Sequence, residues 1–162
     1  MRSQTIAYRR TSGAPLPTSW KIALLVPICA MVSYHDLRHR TIPNAIPLLA
    51  IIAALVAHGM AAGTAGTMLS LEGCAVGFAI TIGLYVFNLM GAGDVKLFAA
   101  AAAIVGYGHV LLAWKGTVLA GGLLAFIALI WSISRKTEIP TIPYGIAIAN
   151  GSLASVLFWS TI

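Results

Sequence analysis

Long apolar runs, separated by short polar stretches, dominate the chain from Trp20 onward. Residues 73–89 and 97–113 contain no acidic residue, lysine or arginine. A helix needs roughly 20 mostly apolar residues to cross a bilayer, and these runs come close to that length. Because the runs are continuously apolar and do not alternate with a period of two, the pattern predicts helices and argues against the strands of a membrane barrel.

These runs predict an all-α, polytopic membrane protein with about six transmembrane helices. We expect a flexible tail over residues 1–19, followed by a single transmembrane domain over residues 20–162. The first five spans are expected at about residues 20–34, 45–62, 71–90, 95–114 and 117–134. Residues 139–145 lead into the sixth span, which is expected to end at about residue 159. Short turns are expected at residues 63–67 and 115–116, and Gly121-Gly122 in the fifth span is expected to permit close helix packing.

The composition supports a membrane protein. Of the 162 residues, 59% are hydrophobic and 9% are charged, whereas ordinary soluble domains contain about 25% charged residues. The net charge is +6, and the basic residues are scattered along the chain without interleaved aromatic residues. We therefore expect anionic lipid headgroups as partners and no nucleic acid. Cys29 and Cys74 lie in apolar runs without a C-x-x-C pair, so neither a disulfide, a metal site nor a cofactor is expected.

The order of the spans predicts which span ends lie on the same side of the membrane. Asp36 follows the first span and Asp94 follows the third, so both are expected on one side. Most basic residues of the loops fall on that side too, namely Arg38, Arg40, Lys96, Arg135 and Lys136. The positive-inside rule therefore predicts that this side is cytoplasmic, although the same arrangement places the basic tail outside.

Asp36 and Asp94 are the main candidates for chemistry. A carboxylate at membrane depth is costly and by default marks a functional site. Gly91 and Gly93 predict a local break of the helix that presents Asp94. Two carboxylates that meet share one proton, so that one acts as general base towards water and the other as general acid towards a peptide carbonyl.

The residues alone leave three alternatives open. Asp36 could pair with Arg38 or Arg40, and Asp94 with Lys96, as structural ion pairs. His35 and His39 in an H-D-x-x-H pattern could instead hold zinc in a metalloprotease, although this needs a third ligand. Finally, Asp94 could be the proton or cation site of a small transporter subunit. His58 and His109 are expected near the far ends of their spans, facing headgroups.

Three segments resemble the type IV prepilin peptidases, which are bacterial membrane aspartic proteases with a G-x-G-D motif. Residues 91–96 (G-A-G-D-V-K) are similar to the family's G-x-G-D-x-K signature. Residues 36–44 (D-L-R-H-R-T-I-P-N) are similar to its first-aspartate segment, which ends in Asn44. Residues 142–151 resemble its final-helix segment, with Pro143, Tyr144 and Gly145 at the start.

The resemblance implies a specific activity. Asp36 and Asp94 would be the catalytic pair, with Lys96 and Arg38 near the site. The substrates would be prepilins, whose short basic leader is cut at the cytoplasmic face of the inner membrane, and the pilus assembly machinery would be a possible partner. Larger members also have paired C-x-x-C zinc motifs and methylate the new amino terminus. This chain lacks those motifs and resembles the compact form that serves Flp-type pili, so no methyltransferase activity is expected.

Overall fold

The computed structural model describes residues 16–39, 43–135 and 144–159, and within them the chain is helical without strands. In these ranges five α-helices and one short 3-10 helix follow each other, so the prediction of an all-α fold is confirmed. Their bounds are α1 Thr18–His39, α2 Ala45–Val86, α3 Ala92–Val105, the 3-10 helix Tyr107–His109, α4 Val110–Arg135 and α5 Tyr144–Trp159. Most of the predicted tail and the predicted loop after α4 lie outside the described residues.

Helix α2 is a hairpin of two helical arms. Its 42 residues contain non-helical backbone at Ala62 (φ −141°, ψ 18°) and at Gly63 (φ 60°, ψ −146°). A Cβ added to Gly66 would overlap the carbonyl oxygen of His58, whereas residues eight apart in a straight helix are separated by about 12 Å. The chain therefore reverses between a first arm, residues 45–61, and a second arm, residues 64–86. The predicted turn at 63–67 is confirmed in place, but it is shorter than expected and residues 64–67 are helical.

Side-chain contacts with α3 give the directions of the two arms. In the first arm, Asn44 lies beside Lys96 and His58 beside Ile104, so this arm runs parallel to α3. In the second arm, Ser70 lies beside Ala103, and a Cβ on Gly77 would lie 3.4 Å from the Cα of Ala99. The second arm therefore runs antiparallel to α3.

The predicted turn at Lys115-Gly116 is wrong. The chain breaks earlier, at Gly106 (φ 79°), and α4 then runs without interruption from Val110 through Lys115 and Gly116. A Cβ on Gly116 would lie 2.5 Å from the carbonyl oxygen of Gly151 in α5, so this glycine permits two helices to cross closely. The predicted spans at 95–114 and 117–134 are replaced by helices at 92–105 and 110–135.

Helix α3 forms the centre of the bundle. All residues from Leu97 to Val105 are buried, and both arms of α2, together with α1 and α5, pack around them. The alanine run of α3 lets the second arm approach, because a Cβ on Gly73 would lie 2.5 Å from the carbonyl oxygen of Ala102. With 14 residues, α3 is about 21 Å long, which is shorter than the roughly 30 Å hydrocarbon core of a bilayer.

The outer surface of the bundle is apolar. Large hydrophobic side chains are exposed along α1, both arms of α2 and α4, among them Met60, Leu111, Leu119 and Phe126. By length and composition, Ala45–Val86, which contains both arms of α2, and Tyr107–Ser134 are candidate membrane-spanning segments, and Gly145–Phe158 is a shorter apolar helix. These features indicate a membrane protein, and six crossings stay a prediction.

Candidate active site

Asp94 lies in the first turn of α3, directly after a helix break. The second arm of α2 ends in a Schellman motif, in which the amide of Leu89 donates to the carbonyl of Leu84 and Asn88 takes a left-handed φ of 56°. Gly91 then has an extended backbone (φ −73°, ψ 151°) and precedes the first helical residue, Ala92. The predicted break is therefore observed at Gly91, whereas Gly93 is already part of α3.

The helix start favours a negative charge at Asp94. The amides of Asp94 and Val95 both point back to the carbonyl of Gly91, at 3.1 and 3.2 Å. The first turn of a helix leaves amides without helical partners and holds the positive end of the helix dipole. A Cβ on Gly91 would lie 3.2 Å from the carboxylate oxygen Oδ2 of Asp94, so a larger residue there would crowd the half-buried carboxylate.

Asp36 lies in the last part of α1, at the same end of the bundle as Asp94. The opposite end of α1 is joined to the end of α3, because the Lys21 Nζ donates to the carbonyl oxygen of Val105 at 2.7 Å. Asp36 lies about 22 Å along α1 from Lys21, and Asp94 lies about 16 Å along α3 from Val105. The side chain of Asp36 is outside the described part of the structure, so its pairing with Asp94 stays a prediction.

A polar contact joins the two segments that contain the aspartates. The Lys96 Nζ donates to the Asn44 Oδ1 at 3.0 Å, which links the first turn of α3 to the start of α2. The described hydrogen bond of Lys96 is therefore made to the start of α2. Both partners are solvent- or headgroup-exposed.

The remaining predicted site residues lie on α1, α3 and α5. The Arg38 guanidinium donates to the Tyr34 hydroxyl at 3.2 Å and lies over the Tyr34 ring, 5.8 Å from its centroid. Gly93 is half-buried in the first turn of α3, and Gly145 is buried at the start of α5. Pro143 and the side chains of Tyr144 and His39 lie outside the described residues.

The opposite end of α3 contains polar residues whose role the sequence did not indicate. The last four carbonyls of a helix lack helical partners, and here each of the four has a donor. These donors are the Gly106 amide to Ala102 at 3.0 Å, the Ser70 hydroxyl to Ala103 at 3.0 Å, the His58 ring to Ile104 at 3.1 Å and the Lys21 ammonium to Val105. The expectation that His58 faces headgroups is wrong, because its side chain is 1% exposed.

The fold and the site define an all-helical membrane protein with an acidic residue at a central helix break. Residues 23–133 match the family model of the type IV leader peptidase family. The matched part includes α1 from residue 23, both arms of α2, α3 and most of α4, and therefore both aspartates. The chain belongs to the type IV leader peptidase family, which makes it a protease of prepilin leaders. No curated protein and no solved structure matches the chain.

Proposed function

We propose that this protein is a membrane-embedded aspartic endopeptidase that cleaves the leader from prepilins with the pair Asp36 and Asp94. The observation that supports this best is the family match, because it includes both aspartates. The geometry adds support: Asp94 lies at a helix start beside Gly91, and α1 brings Asp36 to the same end of the bundle. The expected substrate class is the Flp-type prepilins, cut at the cytoplasmic face of the inner membrane.

The proposed mechanism needs one charged and one protonated carboxyl group. Asp94 is the base in the first step, because the start of α3 stabilises a negative charge there. It takes a proton from water, whose oxygen attacks the carbonyl carbon of the scissile peptide bond. Asp36 gives its proton to the carbonyl oxygen, forming a tetrahedral intermediate. When the C–N bond breaks, the proton on Asp94 passes to the leaving amine and the diol returns its proton to Asp36, which restores the pair.

The Lys96–Asn44 contact supports a positioning role for these two residues. The chain between Asp36 and Asn44 is short, so the start of α2 limits how far the end of α1 can move. Because Lys96 attaches that start to the first turn of α3, it restrains Asp36 and Asp94 relative to each other. This contact is exposed, so its contribution to stability is expected to be small.

The proposed function is tested by cleavage of a purified Flp-type prepilin in liposomes that contain this protein. We expect a product without the leader, identified by mass spectrometry, and an unchanged rate when a zinc chelator is present. The aspartic mechanism requires no metal, so chelation removes nothing that it uses.

The alternatives give different results in the same liposomes. Loss of cleavage on chelation, restored by added zinc, would contradict the aspartic mechanism and favour a metal site that uses His35 and His39. Absence of any cleavage, together with a proton or cation flux that depends on Asp94, would favour the transporter instead.

A further inference from the structure

Lys21 differs from the other residues that bind the end of α3. Ser70 and His58 come from α2, whereas Lys21 comes from α1. Gly106 and His109, whose ring also bonds the Val105 carbonyl, follow α3 in the chain. Lys21 therefore joins the helix that contains Asp36 to the helix that contains Asp94. This bond connects the two helices directly, at the end of the bundle opposite the proposed active site.

Lys21 is buried and has few polar partners besides this bond. Its side chain is 5% exposed. Among the described residues, its polar contacts are the carbonyl oxygen of Val105 and the Nδ1 of His109 at 3.5 Å, and neither is a carboxylate. The negative end of the α3 dipole compensates the ammonium charge, as expected for a cation at a helix C-terminus. Because an unpaired carbonyl or ammonium in an apolar interior is costly, sliding of α1 along α3 would break a buried, charge-assisted bond.

We propose that Lys21 is a positioning residue for catalysis: its bond to Val105 sets the height of α1 against α3, and thereby the height of Asp36 relative to Asp94. This inference rests on the proposed function, since it assumes that the two aspartates act together. Helices are stiff along their axes, and one residue corresponds to about 1.5 Å. A misplacement of about 1 Å at a reacting group is enough to lower a rate about 100-fold.

The test combines kinetics with a distance measurement on four variants. Lys21→Met removes the ammonium and keeps an apolar chain, and Lys21→Arg keeps a cation and its donors. Lys115→Met is the matched control, because Lys115 lies on α4, is exposed, and contacts neither α1 nor α3 through any described hydrogen bond. Ser70→Ala removes a neighbouring cap from an arm that contains no aspartate.

We expect Lys21→Met to lower kcat at least about 10-fold with KM changed less than about 2-fold, because positions of reacting groups affect the chemical step. Lys21→Arg should recover most of kcat. Lys115→Met should retain the kcat of the wild type. Ser70→Ala should lower the melting temperature and leave kcat close to that of the wild type.

The distance is measured between spin labels at Met31→Cys on α1 and Ala92→Cys at the start of α3, in a background with Cys29→Ser and Cys74→Ala. Both labelled positions are exposed. We expect Lys21→Met to shift or broaden the distance distribution by at least about 1.5 Å, the rise of one helical residue, while Lys21→Arg and Lys115→Met leave it unchanged.

Three results would overturn the inference. The first is a Lys21→Met protein that is less stable but keeps the wild-type kcat and distance, since Lys21 would then be structural only. The second is an equal loss of kcat in Lys115→Met. The third concerns Lys21→Gln, which is shorter and neutral and is measured instead if Lys21→Met does not accumulate. Wild-type kcat and an unchanged distance in Lys21→Gln would equally refute the positioning role. Cleavage by Asp94→Asn, run in parallel, would refute the proposed function separately, while the distances would still decide whether Lys21 fixes the two helices.

Discussion

Asp94→Asn is expected to lower the rate of prepilin cleavage by roughly 10²–10⁴-fold, the usual contribution of a general acid or base. Asparagine keeps the shape of the side chain but cannot take a proton from water. The fold should tolerate the change, because asparagine has nearly the size of aspartate and a carboxylate at a helix start typically contributes only about 0.3–1 kcal/mol through the helix dipole. The measurement is the initial rate with purified protein in liposomes, beside the melting temperature in detergent.

Glu72→Gln is the matched control for Asp94→Asn. It is the same type of substitution on an exposed residue of the second arm of α2, remote from the break at Gly91. Its cleavage rate should equal that of the wild type. A rate for Asp94→Asn within a few-fold of the wild type, with protein that is folded and inserted, would show that Asp94 is not part of the reaction.

Gly73→Ala is expected to destabilise the protein by about 1–3 kcal/mol, the usual effect of overpacking a tight core. A Cβ there would lie 2.5 Å from the carbonyl oxygen of Ala102 and 3.1 Å from backbone atoms of Gly106 and Tyr107. Backbone atoms cannot rotate aside as a side chain can, so the second arm of α2 must move away from α3. Because α3 also holds Asp94, we expect the cleavage rate to fall as well.

Gly83→Ala provides the comparison, because Gly83 lies in the same arm and, in the part of the chain that the structure describes, its added Cβ would meet no atom within 4 Å apart from the adjacent backbone of its own helix. This variant should be neutral or more stable, by up to about 1 kcal/mol, since alanine favours a helix more than glycine does. Thermal unfolding in detergent measures both variants. Equal melting temperatures for the two would contradict the close packing of α2 on α3.

The sequence predicted the helices well, but it did not show which glycines end them. Gly63 and Gly91 lie at real breaks, whereas Gly116 lies inside α4. Glycine serves both to turn the chain and to let two helices approach closely. At Gly116 the partner is Gly151, far along the chain in α5, so no local pattern distinguishes the two uses. For the same reason the sequence predicts close packing at Gly122, although among the described residues no atom outside its own helix lies within 4 Å of its added Cβ.

The sequence also indicated one end of α3 and not the other. Asp94 was predictable because an acid beside two glycines is conspicuous in an apolar chain, and the family match includes it. Lys21, His58 and Ser70 bind backbone carbonyls of α3. Every residue has such a carbonyl, so only the arrangement of the helices reveals which ones need a donor.

The most direct test of the central claim is a comparison of Asp36→Asn, Asp94→Asn and the double variant in one liposome cleavage assay. Residues that act as one catalytic unit have strongly non-additive effects. We therefore predict that each single variant loses nearly all activity, by roughly 10²-fold or more, and that the double variant is no slower than the slower single variant. Near wild-type cleavage by Asp36→Asn, or losses that multiply in the double variant, would contradict the claim that Asp36 and Asp94 form one catalytic pair.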